Sequence, residues 1–399
     1  MSKILVIGAG WEQYALIERI KQQGHYVIAT HPNVHSEVYG LADKFFERES
    51  RNLSSHLNIA QKQGINAVIS DNCDYSLLTA SIVASKLSLP FASIESALLS
   101  NDKFRQRCIC SNAGIKQPKF EEVRTPNEAI SAAERIGYPI VLKPVDSRGT
   151  FGVNIVEKPE ELNIAYFEAI SNSPSVRLIC EKFIQGELVT VDGFCFSNGH
   201  QSLTVASRKY AEGKTPVTKY ISYPSDHSAE MRQKLLENHH NVISALNYKF
   251  GHTHGEYIVT PSGDIYLVEC ANRGAGVYTS STINPLLTGI DLNEVFINQC
   301  LGKDLFKISS DTNNYMIRAA ALSFLDLKVG RVLKKINYDE ICGLPFVHQF
   351  RSAFSEKQMI QSVENCASRH LMVVVDGANK ADLRKNYDLF KSTLKVEYY

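Results

Sequence analysis

Hydrophobic positions open the chain as a short unbroken run, KILVI from Lys3 to Ile7. A turn Gly8-Ala9-Gly10 follows, then apolar residues at Tyr14, Ile17 and Ile20, then a second run, YVIAT. Unbroken apolar runs of this length predict strands buried on both faces, and the i, i+3 spacing between them predicts an amphipathic helix, so the chain begins with a β-α-β unit. The alternation continues through LSSHLNIAQKQG (helix), INAVIS (strand) and YSLLTASIVASKLS (helix) to about residue 95. A small domain built on a parallel sheet is the expectation for this stretch.

The texture changes at Ser100. NDKFRQRCICSNAG reads as a helix carrying Lys103, ended by Gly114, with Pro118 barring continuation. A second helix, TPNEAISAAERIG, has Thr125 at its cap, Pro126 at its first position and Glu128 three residues after the cap. Then come the strand YPIVLKP, a loop with Gly149 and Gly152, the helix PEELNIAYFEAIS and the strand VRLICEKFI. Beyond Gly186 lie the strands LVTVDGFCF and SLTVASRKY, a polar loop from Ala211 to Lys219, and a helix apolar at Met231, Leu235, Val242 and Leu246. Two facing strands, HTHGEYIVT and DIYLVECAN, are joined by the turn Pro261-Ser262-Gly263. The remainder, from about residue 305, reads as strands and one helix.

Length and charge narrow the function. At 399 residues, two or three domains are expected. The 43 basic and 42 acidic residues leave a formal charge of +1, which removes the long-range electrostatic case for nucleic acid or an acidic membrane surface. No run of about eighteen apolar residues occurs, and the first residues read as a strand rather than a cleaved leader, so the cytoplasm is the expected location. The nine cysteines have neither metal-site nor disulfide-framework spacing and read as buried thiols.

The chemistry lies in scattered parts. Gly8-Ala9-Gly10 suggests a dinucleotide site, but position 13 is Gln and the second strand ends in THPN without an acid for ribose. Glu256 and Glu269 alternate with core residues on facing strands and can converge as a hard-oxygen site for Mg²⁺. Lys143 ends an apolar run, where a buried ammonium requires an anionic partner. Two carboxylates, a Gly-containing loop and lysines on separate elements together suit nucleotide phosphate chemistry.

The ordered series NDK, YPIVLKP, SRGTFGV, CEKFIQGE, HGEYI, YLVECANRGAG and LLTGIDL resembles the successive motifs of the ATP-grasp superfamily, over about residues 1–330. The resemblance implies an α/β (α+β) fold: a Rossmann-like pre-grasp domain (1–96), an ATP-grasp domain (97–305, with an ATP lid at 113–185) and a small C-terminal domain (306–399). It implies ATP and Mg²⁺ (or Mn²⁺), with Lys103 and Lys143 on the phosphates and Ser147, Arg148, Gly149, Thr150 and Gly152 closing over them. Glu181, Lys182, Phe183 and Ile184 match the adenine-recognising strand, and Glu187 resembles the acid that holds the ribose. Glu256, Glu269 and Asn272 correspond to metal ligands, Arg273 to the arginine stabilising the transferring group, and His254 to a base for the amine or a partner of the metal acids. The implied activity is that of an ADP-forming carboxylate–amine ligase acting on small molecules, with a homodimer plausible and no nucleic-acid or membrane partner. A bicarbonate-activating enzyme or a non-catalytic ATP sensor are the alternatives.

Two departures from the family pattern stand out. Gly186 and Glu187 are adjacent where the family puts one residue between them, and Glu269-Cys-Ala-Asn-Arg273 has Ala271 where the family has Asn. On a strand, a slip of one residue moves a side chain to the opposite face. Arg318, near the start of the C-terminal segment, reads as a structural or surface residue rather than a substrate contact.

Overall fold

The structure, a computed structural model, describes residues 1–34, 36–147, 150–210, 217–303, 318–363 and 366–399. Strands β1 (Lys3–Ile7), β2 (Tyr26–His31), β3 (Lys44–Glu47) and β4 (Ala67–Ile69) form a parallel sheet in the order β3-β2-β1-β4. Helices α1 (Tyr14–Gln22), α2 (Leu53–Gln63) and α3 (Asp74–Leu87) belong to the same unit. Ile4, Val6 and Val27 pack with Leu16, Ile17 and Ile20 on one side. Leu5, Ile28 and Val68 pack with Ala80 and Val83 on the other, which is why the runs are unbroken rather than alternating. The edge strand β3 went unread because KFFE is short, charged at both ends and only half covered.

Helices α4 (Ile94–Ser100) and α5 (Lys103–Asn112) lead out of this unit, with Asp102 capping α5 through the Arg105 N–H at 3.0 Å. An antiparallel sheet follows, made of β5 (Phe120–Val123), β6 (Ile140–Pro144), β7 (Asn154–Val156) and β8 (Leu178–Lys182) in the order β5-β8-β6-β7. The apolar stripes of α6 (Pro126–Ile136) and α7 (Leu162–Ser171) pack on it through Ala129, Ala133, Leu162 and Ala169.

The largest sheet draws on the rest of the chain: β9 (Glu187–Phe196), β10 (Gly199–Tyr210), β11 (Thr218–Tyr223), β12 (Gly251–Val259) and β13 (Ile265–Ala271) are backed by α8 (Ala229–Ala245). After α9 (Asn284–Thr288) and α10 (Leu292–Cys300) come β14 (Ala319–Leu325), β15 (Leu333–Ile336), α11 (Tyr338–Cys342), β16 (Val347–Ser352), β17 (Leu371–Gly377), α12 (Lys380–Thr393) and β18 (Val396–Tyr398). The strand order is β13-β12-β9-β10-β11-β14-β17-β16, with Tyr220 of β11 opposite Ser323 of β14. The C-terminal segment therefore extends this sheet, covering an edge of β11 that would otherwise present unpaired backbone groups. Among the described residues of the C-terminal segment, β15 and β18 pair in a separate two-stranded sheet. Among the described residues no helix is long and apolar enough to cross a membrane.

Candidate active site

Between the β5–β8 sheet and the large sheet lies a cavity of about 270 Å³. One end is apolar, walled by Val141, Phe183, Ile184, Leu188, Ile258 and Leu267; the other carries Lys103, Arg107, Lys143, Glu181, Arg208, Glu256 and Glu269. A flat heteroaromatic ring suits the first end and a polyanion the second.

Strand register builds the charged end. Glu256 of β12 and Glu269 of β13 stand directly opposite each other. Two like charges so placed repel, and each is compensated by a cation: Arg208 Nη1 lies 2.7 Å from Glu256 and Lys103 Nζ 2.9 Å from Glu269. Burial raises the Glu256 pKa, but the Arg208 charge more than offsets it, so the carboxyl is held well below its ordinary range. For Lys103, burial works against the ammonium and Glu269 for it, with a net upward shift. Lys103 Nζ also donates to the Ser147 carbonyl at 2.8 Å, tying α5 to the start of the loop after β6.

A second knot is fully buried. Glu181 of β8 accepts from Arg107 Nε at 2.7 Å and pairs with Lys143 Nζ at 2.8 Å. Burial pushes the Glu181 pKa up, but Arg107 and then Lys143 bring it down to about 2. Lys143 moves below its ordinary value, chiefly through burial. With two cations on one carboxylate, this wall has a positive charge to spare for an anion. Arg107 was legible as the i+4 neighbour of Lys103 on one helix face.

Arg273, just beyond β13, grips Asp74 at the start of α3 through two bonds, Nε–Oδ1 at 2.6 Å and Nη2–Oδ2 at 3.0 Å. Burial opposes its charge, but Asp74 raises its pKa further above the ordinary value. Arg273 lines a smaller recess with Lys103, Ser147 and Glu269, adjoining the main cavity. Asp74 carried no local signal, being 199 residues away in sequence.

Several expected assignments are corrected. Asn272, just past β13, lines neither the cavity nor the recess; its Nδ2 donates to the Phe250 and His252 carbonyls at 2.7 and 3.1 Å, while its Oδ1 is buried without a hydrogen-bond partner. Glu187 is out of place by one residue: its side chain is 72% exposed near His227 at 3.5 Å, and its neighbour Leu188 faces the cavity instead. His254 is buried behind Glu256, with Nδ1 2.7 Å from Asp192 and Nε2 3.7 Å from Glu256. Burial lowers its pKa, but Asp192 and Glu256 hold it up to about 9, so it is an imidazolium that positions Glu256 rather than a free base. The charged Asp192 within the apolar run LVTVDGFCF was the signal for that pair.

Lys182 points its ammonium away from the anion end, to the Gly137 and Tyr138 carbonyls at 2.9 Å each. The Phe183 N–H is also taken, by the Pro139 carbonyl at 3.1 Å. Ser147 and Thr150 line the cavity. Gly152 has φ +71° and packs so closely on Pro144 and α7 that an added Cβ would lie 3.0 Å from Asn172 Cβ, so it shapes the loop rather than facing a ligand. Arg148, Gly149 and residues 211–216 of the second loop lie outside the described residues.

For a divalent metal, the opposed carboxylates are the donors. Among the described residues no group of three or more His, Cys, Asp or Glu side chains is placed to hold a metal ion, so these two would need oxygens from a ligand to complete a shell. Mg²⁺ is commonly held in that way, by one or two carboxylates plus phosphates, and the pair fits it.

Residues 136–281 match the family model described as the ATP-grasp domain. The alanine–anticapsin ligase of Bacillus subtilis (strain 168) is 24% identical over 297 residues, covering 69% of this chain and 61% of that protein, so the chain spans under two thirds of this curated relative. The L-amino acid ligase of Bacillus licheniformis has a similar fold, with a TM-score of 0.85 at 17% identity over 100% of this chain and 99% of that one. So has the biotin carboxylase domain dimer of the Hydrogenobacter thermophilus 2-oxoglutarate carboxylase, in complex with MgADP, ADP and bicarbonate. Its TM-score is 0.83 at 16% identity, over 100% and 91% of the two chains.

Proposed function

We propose that this chain, whose residues 136–281 match the model of the ATP-grasp domain, is an ATP-dependent, ADP-forming ligase joining a small carboxylate to an amine through an acyl phosphate. The observation that carries the reading is the opposition of Glu256 and Glu269 at the anion end of a cavity whose other end is apolar. Nucleotide binding alone would require neither carboxylate. The similarity to an alanine–anticapsin ligase and an L-amino acid ligase supports amino acids as the class of both substrates.

In this assignment the apolar end takes the adenine, and Lys103 and Lys143 neutralise the phosphates. Glu256 and Glu269 hold Mg²⁺ (or Mn²⁺), which supplies charge neutralisation on the phosphate oxygens when bound. The bond between the terminal phosphorus and ADP breaks as a new phosphorus–oxygen bond to the substrate carboxylate forms. The amine then attacks the acyl carbon and phosphate leaves, giving the C–N bond. Arg273, fixed by Asp74, stabilises charge on the transferring group, and Ser147 and Thr150, which line the cavity, help to keep water from it.

The cytoplasm is the proposed location, supported by cysteines that are all free thiols, as a reducing compartment keeps them. A homodimer is proposed by likeness to the dimeric carboxylase domain. The test is Mg²⁺-dependent ADP release against a pool of the common L-amino acids, with hydroxylamine present to trap acyl phosphate as hydroxamate. ADP together with hydroxamate is the expected result. Tight ATP binding with neither product in any pool of carboxylates, bicarbonate included, would overturn the ligase reading.

A further inference from the structure

The side of the large sheet that α8 covers carries a cluster of imidazoles that the proposed chemistry does not use. His239 of α8 is fully buried, with Nδ1 2.7 Å from the Tyr257 hydroxyl and Nε2 3.1 Å from Thr253 Oγ1. His200 of β10 brings its Nε2 within 3.0 Å of the same Thr253 oxygen. Its other nitrogen, Nδ1, lies 3.4 Å from Nδ1 of His240, which is exposed on α8. On β12, Thr253 and Tyr257 thus point to α8, whereas Glu256 points to the cavity on the other side.

The sheet gives way to these rings. Gly193 of β9 stands opposite Thr253 of β12, and a Cβ there would lie 2.6 Å from His200 Nε2 and 2.8 Å from Thr253 Oγ1. At Gly255, a Cβ would lie 2.6 Å from His239 Nδ1 and 2.7 Å from the Tyr257 hydroxyl. Glycine inside a strand weakens it and marks a place that another group approaches closely. Two interior strands each leave out a side chain where an imidazole is seated, so the fold itself holds the rings.

The exposed end of the cluster has the dimensions of a metal site. Hydrogen bonds from N–H groups cluster at about 2.9–3.0 Å, and 3.4 Å is long for one. Two nitrogens held tetrahedrally by zinc at about 2.0–2.1 Å stand roughly 3.3–3.4 Å apart. The ring centroids are 5.5 Å apart, well beyond the nitrogens, so the Nδ1 atoms are the edges that the rings turn towards each other. One set of tautomers uses every partner: His200 Nε2–H donates to Thr253 Oγ1, the Thr253 hydroxyl to His239 Nε2, and His239 Nδ1–H to the Tyr257 oxygen. It leaves the His200 Nδ1 lone pair facing His240, with the ring oriented from behind as metal-binding imidazoles are. Burial, and then the charge of His240, push the His200 pKa down to about 3, which keeps a second proton off that ring at neutral pH.

We propose that His200 and His240 bind a divalent cation of the zinc class through their Nδ1 atoms, with water completing the shell, at a site separate from the opposed carboxylates. Imidazole suits zinc, whereas the Mg²⁺ that Glu256 and Glu269 fit is a hard ion that prefers oxygen. No third His, Cys, Asp or Glu among the described residues joins the pair, so the site is an open one with two protein ligands. A metal there ties the start of β10 to α8 across 40 residues of sequence. The inference does not depend on the ligase reading.

The test uses the full chain as wild type, H240Q, T253V and E269Q, titrated with Zn²⁺ by calorimetry in the presence of MgADP. His240 is exposed, so its replacement leaves the core intact. Wild type should take up one equivalent more than H240Q. T253V, which removes the hydroxyl that orients His200, should weaken that uptake by about tenfold or more. Equal uptake by wild type and H240Q would mean that the two rings share only a hydrogen bond, and would overturn the proposal. So would an uptake that only E269Q abolishes, which would place the zinc on the carboxylates.

A second readout is the thermal midpoint. Zn²⁺ should raise it in wild type and not in H240Q, because a cation bound by the folded chain alone stabilises the fold. A rise of equal size with Mg²⁺ in place of Zn²⁺ would overturn the imidazole assignment. Neither readout depends on turnover.

Discussion

Arg273 and Asp74 clasp one another across 199 residues of sequence, with Nε–Oδ1 at 2.6 Å and Nη2–Oδ2 at 3.0 Å. The pair joins the end of β13 to the start of α3, so the parallel-sheet domain fixes the orientation of an active-site cation in the sheet beside it. The Asp74→Asn substitution keeps the shape and removes the charge. Truncating a buried, hydrogen-bonded charge pair costs about 2–5 kcal/mol where it acts. The expected outcome is a fall in kcat for ADP release of about tenfold or more, with little change in nucleotide affinity. Equal loss in affinity for ADP would mean that Arg273 acts on the ground state.

Glu269→Gln and Glu256→Gln each remove one of the two opposed carboxylates. Several kcal/mol of charge stabilisation depend on the metal they are proposed to hold, so Mg²⁺-dependent ADP release should fall by about a hundredfold or more in either variant. ADP binding by calorimetry without Mg²⁺ should persist, because the apolar end is untouched. A fully active variant would refute the metal assignment.

Glu181→Gln leaves Arg107 and Lys143 buried without their shared carboxylate. Breaking a buried pair in this way costs about 3–5 kcal/mol, readable as a lower urea midpoint. The same group sets an acid limit. Its folded pKa, about 2, lies below the ordinary 4.5, so its stabilisation is complete above pH 4.5 and drains away as pH falls towards 2. Over that window the wild type should lose stability more steeply than the Gln variant, as measured by urea titrations at stepped pH.

Gly152→Ala places a Cβ 3.0 Å from Asn172 Cβ and 3.2 Å from Ala169 Cα at a residue with φ +71°. Backbone strain of this kind costs about 1–3 kcal/mol. The loop after β6 should shift, raising the KM for ATP, and the thermal midpoint should drop. An unchanged KM with a lowered midpoint would show that the loop's course over the ligand does not depend on this glycine.

Much of this was written locally in the sequence. Unbroken runs such as KILVI called for strands covered on both sides, and the helices and strands around the cavity followed from apolar spacing, caps and turns. Glu256 and Glu269 were readable because alternation on two strands joined by a short turn nearly fixes which residues face each other. Lys143 was readable because an ammonium ending an apolar run demands a partner, though the partner, Glu181 shared with Arg107, was not named.

Tertiary structure decided what depended on register and on distant segments. A slip of one residue left Glu187 exposed while Leu188 lines the cavity, and motif matching is blind to a side chain's face. Asp74 reaches Arg273 and Asp192 reaches His254 only because sheets and helices far apart in sequence pack together. The physical reason is range. Hydrophobic periodicity and capping act over a few residues and are stamped on the chain, whereas a buried charge is satisfied by whatever group the fold delivers, and no local pattern records which group that is.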